Sequence, residues 1–402
     1  MKQLIQSYKT GELGVYEVPA PICGENGVLV RTITSLVSAG TEKMIVDLAK
    51  KSLVGKAKAR PDLVKQVVNK MKQEGVKNTL EKVFTKLDTP IPLGYSCVGE
   101  VVKVGDKVTG ISVGDRVACG GAGYANHSEI NYVPRNLFVK VPENVSDADA
   151  SFVTVGSIAL QGIRQTNPSL GEKVVVMGLG LLGQITVQLL KANGCKVLGT
   201  DFDPRKLELA KKLGADEVCS PDKVIDKAKL FTNGNGADAV VIAASTSSSQ
   251  PIADAGEISR IKGRVIVVGL VGMDIPRTEY YKKELELKLS MAYGPGRYDP
   301  KYEEQGIDYP FAHVRWTEGR NFEAFLDLVD EGKITPSAMV SHEYEFDNAL
   351  TAYDLLEGKI KDDYLGILLN YKEEYSLKSE LVKISDTTIK SGELNVGLIG
   401  AG

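Results

Sequence analysis

The chain has 402 residues, of which 43% are hydrophobic and 25% are charged, and its formal net charge is −3. This composition is typical of a globular protein of about two to three domains, and it excludes a disordered, collagen-like or coiled-coil chain. The near-neutral balance also argues against a general nucleic-acid binder. Glycine is frequent, at 41 residues, as in chains with many tight turns and ligand-binding loops.

The chain contains five cysteines and three histidines. The cysteines form no C-x-x-C pair and their number is odd, so free thiols in a reducing cytoplasm are favoured over disulfides or a structural zinc site. The N-terminal segment lacks the apolar core of a signal peptide. Because no run of about 18 apolar residues is present, we expect no membrane span and a cytoplasmic location.

The first 152 residues are expected to form a β-rich domain. β-Branched residues fill 27–37, and glycine-punctuated runs recur over 92–142, a pattern typical of a twisted, partly closed sheet. The insertion at 42–90 differs, with apolar residues at helical spacing in KMIVDLAKK, PDLVKQVVNKMK and LEKVF. It holds twelve Lys or Arg against six Asp or Glu. It is either a solvated basic face or a lid that attracts an anionic substrate.

From 153 to 291, strands and helices alternate, which predicts a parallel sheet with helices on both faces. The expected strands are KVVVMG, CKVLGTD, ADAVVIAAS, GRVIVVGL and LKLSMAYG. Residues 292–372 become mixed again, with helices expected at 321–332 and 347–358. The polar segment that follows, 373–393, is expected to be a linker or a connecting helix.

A dinucleotide-binding motif, G-x-G-x-x-G, lies between a predicted strand and an apolar helix. Its residues are Gly178, Leu179, Gly180, Leu181, Leu182 and Gly183. The first glycine permits a tight turn, the second lets the backbone approach the pyrophosphate, and the third lets the helix pack on the strand. The helix N-terminus then supplies N–H groups to the phosphates.

Asp201 ends the next predicted strand, where a carboxylate accepts hydrogen bonds from the ribose hydroxyls and repels a 2′-phosphate. This favours NAD over NADP. Arg205 and Lys206 lie nearby and temper that preference, since they are placed to stack on the adenine or contact the ribose. Ser245 and Gly269, at later strand ends, are expected on the nicotinamide side.

With this motif between two β-rich regions, the chain resembles the medium-chain dehydrogenase/reductase family, which includes alcohol, sorbitol and threonine dehydrogenases. The resemblance covers about residues 1–372 and rests on GDRV at 114–117, KVP at 140–142, LGADEV at 213–218 and GRVIVVG at 263–269. It implies an α/β fold in which a GroES-like catalytic domain, 1–152 and 292–372, surrounds a Rossmann cofactor domain, 153–291. It also implies a substrate cleft at their junction and homo-oligomers paired through the edge of the cofactor-domain sheet.

The zinc ligands of that family do not carry over to this chain. By resemblance, the first Cys corresponds to Ser38, the Gly-His-Glu run to Gly94-Tyr95-Ser96, and the second Cys to a position near Val155. A catalytic zinc needs about three protein ligands of the N, S or O type. We therefore expect no zinc and no other metal.

Hydride transfer without zinc still needs a group that polarises the carbonyl and carries the proton. Lys43 lies near the place where zinc enzymes of the family have a proton-relay His, and a Lys beside Tyr95 would lower the pKa of the phenol from about 10. Tyr95 and Lys43 are thus a candidate acid–base pair; alternatively, Tyr95 fills the former metal cavity and Lys43 is solvated. Ser38, and His127 on GYANHSE, are further candidates for the catalytic site.

The segment YGPGRYD at 293–299, with SAGTEK at 38–43, resembles a zinc-less subgroup that forms the front half of two-part bacterial oxidoreductases. Arg297, with Tyr298 and Arg315, is a candidate for binding a carboxylate or phosphate; the alternative is a rigid Gly-Pro loop held by ion pairs. The run LNVGLIGAG at 394–402 looks like the opening of a glucose–fructose oxidoreductase or inositol dehydrogenase domain. A linked second oxidoreductase domain is therefore expected.

These features together predict an NAD-linked, zinc-independent dehydrogenase or reductase. Its expected partner is a small polar substrate that is sugar- or polyol-like and either neutral or anionic. Neither nucleic acid nor a membrane is expected as a partner. Two alternatives stay open: a quinone- or enoyl-type reductase that uses NAD(P)H, and a non-catalytic NAD-binding module of a larger two-domain oxidoreductase.

Overall fold

The computed structural model describes residues 1–52, 55–56, 58, 61–79, 82 and 89–372. Within them, the expected α/β fold is confirmed, with a GroES-like β-rich part and a Rossmann-type parallel sheet. Of the predicted helix LEKVF at 80–84, the described residues include only Lys82. The predicted linker and second-domain opening at 373–402 lie outside the described residues. All five cysteines are free.

The β-rich part contains two sheets. The smaller sheet has three strands, β1 (Lys2–Gln6), β2 (Leu13–Glu17) and β4 (Ile91–Pro92), with β1 in the middle. The larger sheet has seven strands: β3 (Gly27–Val37), β5 (Ser96–Val104), β6 (Arg116–Gly120), β7 (Ile130–Pro134), β8 (Phe138–Lys140), β15 (Val340–Glu345) and β16 (Gly366–Asn370). Because β16 pairs antiparallel with β3, the chain returns to its first sheet after the parallel sheet is complete.

The parallel sheet has six strands: β9 (Lys173–Met177), β10 (Lys196–Thr200), β11 (Glu217–Cys219), β12 (Ala237–Ile242), β13 (Ser259–Val267) and β14 (Glu286–Leu289). Their order is β11-β10-β9-β12-β13-β14, so the winding reverses between β9 and β12. These two neighbours are runs of buried Val, Ala and Ile, as expected where helices cover both faces of a sheet. The short strand β11 was not among the predicted strands.

Two helices of the basic insertion are as predicted from KMIVDLAKK and PDLVKQVVNKMK: α1 (Ala39–Lys50) and α2 (Pro61–Glu74). The next helices are α3 (Asp147–Ala150), α4 (Val153–Thr166), α5 (Leu181–Ala192), α6 (Pro204–Lys212), α7 (Val224–Phe231), α8 (Gln250–Ile258), α9 (Arg277–Lys282) and α10 (Pro300–Glu303). The helices expected at 321–332 and 347–358 are α11 (Glu318–Asp330) and α12 (Ala349–Leu356). No helix in the described ranges is long and apolar enough to cross a membrane.

Helix α4 joins the two parts of the molecule. Its Gly156 packs so closely on α11 that a Cβ there would lie 2.1 Å from the ring of Phe325. A single hydrophobic core runs through this helix and contains side chains of both large sheets, among them Leu36, Val98, Val174 and Val176. The two sheets are therefore packed on one core, with α4 between them.

Candidate active site

The glycine loop at the end of β9 is shaped by close backbone contacts. Gly178 has a φ of +89°, and a Cβ there would lie 2.7 Å from the backbone of Ala244. A Cβ on Gly183 would lie 1.9 Å from the carbonyl oxygen of Gly178. Gly180, which caps α5, has no heavy atom within 4 Å of its would-be Cβ. The first and third glycines thus serve the loop itself, and the second leaves room for a ligand.

The leucines of the motif contribute backbone groups to this crevice. Leu179 and Leu181 are buried, and Leu182 is half-buried. The first N–H groups of α5 lack partners within the helix and carry its partial positive charge, so the loop fits the pyrophosphate of a dinucleotide. Sequence reasoning missed Gln184, whose amide donates to the carbonyls of Leu179 (3.1 Å) and Lys206 (2.8 Å) and ties the loop to α6.

Asp201 lies directly beside the loop. Its carboxylate accepts from the N–H groups of Leu179 at 2.7 Å and Asp203 at 3.0 Å. Arg205 is ion-paired with Asp203 at 2.9 Å and with Asp363. The charge of Arg205 is therefore already balanced, whereas Lys206 makes no ion pair with a described residue.

Ser245 and Gly269 lie at the same edge of the parallel sheet, after β12 and β13. Ser245 is exposed and forms a bridge with Leu270. A Cβ on Gly269 would lie 2.1 Å from the carbonyl oxygen of Ala244, so the two strand ends touch there. Together with the glycine loop they border the crevice at the reversal of strand order, the usual ligand site of such sheets.

Tyr95 lies just before β5 and is half-buried. Its carbonyl accepts from the Gly121 N–H and the Thr154 hydroxyl, each at 3.0 Å. Its phenol is hydrogen-bonded to Ser38 and Thr41, yet burial raises the pKa of Tyr95 to about 12.

The predicted lowering of the Tyr95 pKa by Lys43 is therefore wrong. Lys43 is exposed on α1 and is not among the groups that shift the pKa of Tyr95. The structure brings Ser38 to the phenol and leaves Lys43 in solvent. Tyr95 consequently keeps its proton at neutral pH.

The three positions that correspond to zinc ligands do not form a metal site. Ser38 offers a hydroxyl already bonded to the phenol, Tyr95 keeps its proton, and Val155 is a core residue of α4. Within the described part of the chain, no group of three or more His, Cys, Asp or Glu is placed to hold a metal ion. This donor set does not fit the nitrogen, thiolate or carboxylate ligands that zinc takes in proteins.

A buried polar network centred on Glu42 is hydrogen-bonded to the backbone of Ser38. The carboxylate of Glu42 is fully buried; it accepts from the Ser38 N–H at 2.8 Å and from the Tyr353 hydroxyl, and lies 3.1 Å from Nε2 of His127. The other ring nitrogen of His127 lies 2.7 Å from the Ser35 hydroxyl. Sequence reasoning missed Glu42, although it lies four positions after Ser38, on the same face of α1.

The same network corrects the assignment of His127. Its side chain is 0% exposed and both ring nitrogens are occupied, so it does not contact a substrate in the cleft. It positions Glu42 instead.

Arg297 is likewise occupied. Its guanidinium pairs with Glu303 and lies 4.3 Å from the centroid of the Tyr298 ring. The structure shows the alternative that the sequence left open, a glycine–proline loop held by an ion pair. The expected role of Arg297 in binding a substrate anion is therefore not supported.

Comparisons with known proteins agree with this architecture. Residues 64–145 match the alcohol dehydrogenase GroES-like domain, and residues 182–305 match the zinc-binding dehydrogenase domain. D-xylulose reductase A of Aspergillus oryzae is 27% identical over 301 residues, which cover 66% of this chain and 76% of that protein. D-guloside 3-dehydrogenase of Shigella flexneri is 28% identical over 266 residues, covering 65% and 72%.

Among solved structures, alcohol dehydrogenase TADH from Thermus sp. ATN1 has the same fold, with a TM-score of 0.70 at 21% identity over 92% of this chain and 100% of that one. The chain belongs to the zinc-type alcohol dehydrogenase group of the medium-chain dehydrogenase/reductase family. It is accordingly an NAD(P)-dependent dehydrogenase or reductase. The zinc-less subgroup and the second domain stay predictions.

Proposed function

We propose that this protein is an NAD-dependent, zinc-independent dehydrogenase that transfers hydride between nicotinamide and an alcohol or carbonyl group of a polar sugar- or polyol-like substrate. The observation that carries the proposal is the phenol of Tyr95, hydrogen-bonded to Ser38 and Thr41, at a position that by resemblance holds a metal ligand in zinc enzymes of the family. The names of two relatives, D-xylulose reductase A and D-guloside 3-dehydrogenase, support a sugar-like substrate.

The loop from Gly178 to Gly183 and Asp201 hold the cofactor, which supplies or accepts the hydride when bound. Tyr95 donates a hydrogen bond to the carbonyl oxygen of the substrate and gives up its proton as negative charge develops there. Ser38 and Thr41 orient the phenol. In the reverse direction, Tyr95 must first lose its proton, so its pKa of about 12 favours carbonyl reduction at neutral pH and makes alcohol oxidation faster as the pH rises.

Two observations support NAD over NADP. Asp201 lies beside the glycine loop, where the motif leads us to expect the ribose hydroxyls, and its negative charge would repel a 2′-phosphate. Arg205, four positions after Asp201, is already paired with Asp203 and Asp363 and is not free to balance that phosphate.

The organisation around this site is part of the proposal. We place the catalytic domain at 1–152 and 292–372 and the cofactor domain at 153–291; from the sequence alone, 373–402 is assigned to a linker and the start of a second Rossmann domain. The edge strand β14 has only β13 as a neighbour among the described residues, which supports a homo-oligomer paired at that edge. The free cysteines support a cytoplasmic location.

The decisive variant is Tyr95→Phe, assayed with NADH on a panel of ketoses and with NAD on the matching polyols. We expect kcat to fall about 100-fold, because the acid is lost, while NADH affinity is unchanged. Tyr16→Phe, on the exposed strand β2, is the matched control and should behave as the parent.

Unchanged turnover in Tyr95→Phe would show that the phenol is not the acid. Zinc content and chelator sensitivity are measured on the same preparation, and turnover that requires stoichiometric zinc would refute the metal-free reaction. NADH binding without turnover on any substrate of the panel would favour the non-catalytic module.

A further inference from the structure

The only tryptophan of the chain, Trp316, lies between two arginines. The guanidinium carbon of Arg164 is 3.2 Å from the ring centroid, and that of Arg315 is 3.7 Å from it. Two guanidinium groups cannot lie that close to one face of a ring without overlapping, so they cover opposite faces. The stack therefore holds two positive charges within about 7 Å of each other.

Neither arginine has an acidic partner among the described residues, unlike Arg320, which pairs with Asp308 close by. Nε of Arg164 donates to the side-chain carbonyl of Asn321 at 2.7 Å, and its two terminal amino groups have no acceptor in the described part of the chain. Burial, and next the charge of Arg315, lower the pKa of Arg164 to about 10. The stack thus lacks the negative charge that paired arginines have elsewhere in this protein.

The stack is tied to the loop that follows the parallel sheet. The amide of Asn321 donates to the carbonyl of Tyr293 at 2.8 Å, at the start of the loop that follows the parallel sheet. Gly162, two residues before Arg164 on α4, lies against Val268 at the end of β13 in the parallel sheet, so Arg164 is on the opposite side of α4 and faces α11.

We propose that Arg164 and Arg315, held apart by Trp316, form a binding site for an anionic group of the substrate, a phosphate or a carboxylate. This inference rests on the proposed function for its link to the substrate. It moves the anion-binding role expected of Arg297 to a different pair of arginines, one of which, Arg164, drew no attention in the sequence.

The chemistry of the stack favours a phosphate over a carboxylate. Each guanidinium presents its N–H groups as a planar fork, and an anion at the edge of the indole can accept from both forks. Cation–π attraction offsets part of the repulsion between the two charges when the site is empty. A dianion compensates both charges, whereas a carboxylate compensates one.

The single tryptophan allows binding to be read directly from its fluorescence. The full chain without cofactor is titrated with inorganic phosphate, sorbitol 6-phosphate, gluconate and uncharged sorbitol. We expect saturable changes with the three anions, tightest for sorbitol 6-phosphate, and none with sorbitol. Arg164→Gln and Arg315→Gln should each weaken phosphate binding at least tenfold.

Arg260→Gln is the control, since it removes the same charge from an arginine that is paired with Asp238 on the cofactor sheet. It should bind phosphate like the parent. Because a variant could alter the emission of Trp316 without altering binding, the rise in melting temperature with phosphate is measured in parallel and should disappear only in the two stack variants.

The proposal is overturned if phosphate gives no saturable change, or if all variants bind it equally. It is also overturned if inorganic phosphate binds and sorbitol 6-phosphate does not, because the site would then not serve a substrate. Neither readout requires turnover. Failure to bind anions, with neutral polyols still oxidised, would leave the proposed function standing, and loss of turnover with anion binding intact would overturn the proposed function alone.

Discussion

The glycine loop and the Tyr95 site both form where strands of the molecule begin or end, yet different parts of the chain hold them. The loop is held by contacts of its own backbone: the Cβ position of Gly183 meets the Gly178 carbonyl, that of Gly178 meets the backbone of Ala244, and Asp201 accepts from the N–H of Leu179. The Tyr95 site is held by side chains from the whole chain; the Tyr353 hydroxyl reaches Glu42 across 311 positions.

This difference explains why one site keeps its motif while the other departs from the family pattern. A backbone-held loop accepts few residues, because the contacts at its first and third glycines leave no room for a side chain. A site held by side chains can change by single substitutions, such as a metal-ligating side chain replaced by a tyrosine, without movement of the strands around it. In the proposed function, the dehydrogenase fold thus keeps its cofactor loop while Tyr95 takes over from a metal ligand.

The largest effect is expected from Gly183→Ala compared with Gly180→Ala. The first places a methyl group 1.9 Å from a backbone oxygen, so α5 must move, and we expect NADH affinity to fall at least about 100-fold, or roughly 3 kcal/mol. The second meets nothing within 4 Å and should change the free energy of unfolding by no more than about 1 kcal/mol.

Fluorescence titration with NADH and urea unfolding separate the two effects. Gly180→Ala should weaken NADH binding without loss of stability, because its methyl group lies only in the path of the ligand. If Gly183→Ala bound NADH as the parent does, the loop would not be held by its backbone.

A smaller effect is expected from Glu42→Gln, which tests whether side chains hold the Tyr95 site. An amide can accept through its oxygen but not replace both carboxylate oxygens, so Ser38, His127 and Tyr353 cannot all keep their bonds. We expect a loss of about 2–3 kcal/mol in the free energy of unfolding. We also expect a lower kcat with unchanged NADH affinity, because Ser38 would no longer hold Tyr95.

Glu208→Gln, an exposed position on α6, is the control for that loss of charge. A Glu42→Gln variant as stable and as active as this control would show that the buried network does not support the Tyr95 site.

The last test concerns the pH dependence of stability and uses Glu318, which belongs to neither the glycine loop nor the Tyr95 site. Its side chain is 0% exposed, neither carboxylate oxygen has a partner among the described residues, and burial, then Glu303, raises its pKa from 4.5 to about 9. The folded state therefore keeps a proton that the unfolded state loses above pH 4.5, so this contribution to stability falls as the pH rises towards 9.

Glu318→Gln cannot lose a proton and should escape this fall. Between pH 5 and pH 9 we expect the parent to lose more stability than the variant, measured by urea unfolding at each pH. Equal slopes for the two proteins would mean that Glu318 is ionised in the folded state.

The sequence predicted the fold and the cofactor crevice because both depend on local patterns: alternating strands and helices, and a motif of six residues. The strand β11 was missed because three residues carry too little periodicity. The resemblance located Tyr95, but the pairing with Lys43 failed on helix geometry. Glu42, four positions after Ser38, shares its face of α1, whereas Lys43 lies a further residue around the helix and points to solvent.

Contacts between residues far apart in the sequence leave no local sequence pattern that would predict them. Arg164 is an ordinary helix residue in the sequence, and only the fold brings it onto Trp316. Gln184 was similarly hidden among apolar neighbours, and Glu42 between Thr41 and Lys43. Such residues are the ones for which a structure is indispensable.

The core shared through α4 has a consequence for motion. A helix packed at full density against two sheets does not act as a free hinge, because rotation of one sheet away from the other would open voids in the common core. We therefore expect any movement between the two sheets to be a small sliding of packed side chains along α4. The same continuity predicts that the two sheets melt together, in one calorimetric transition.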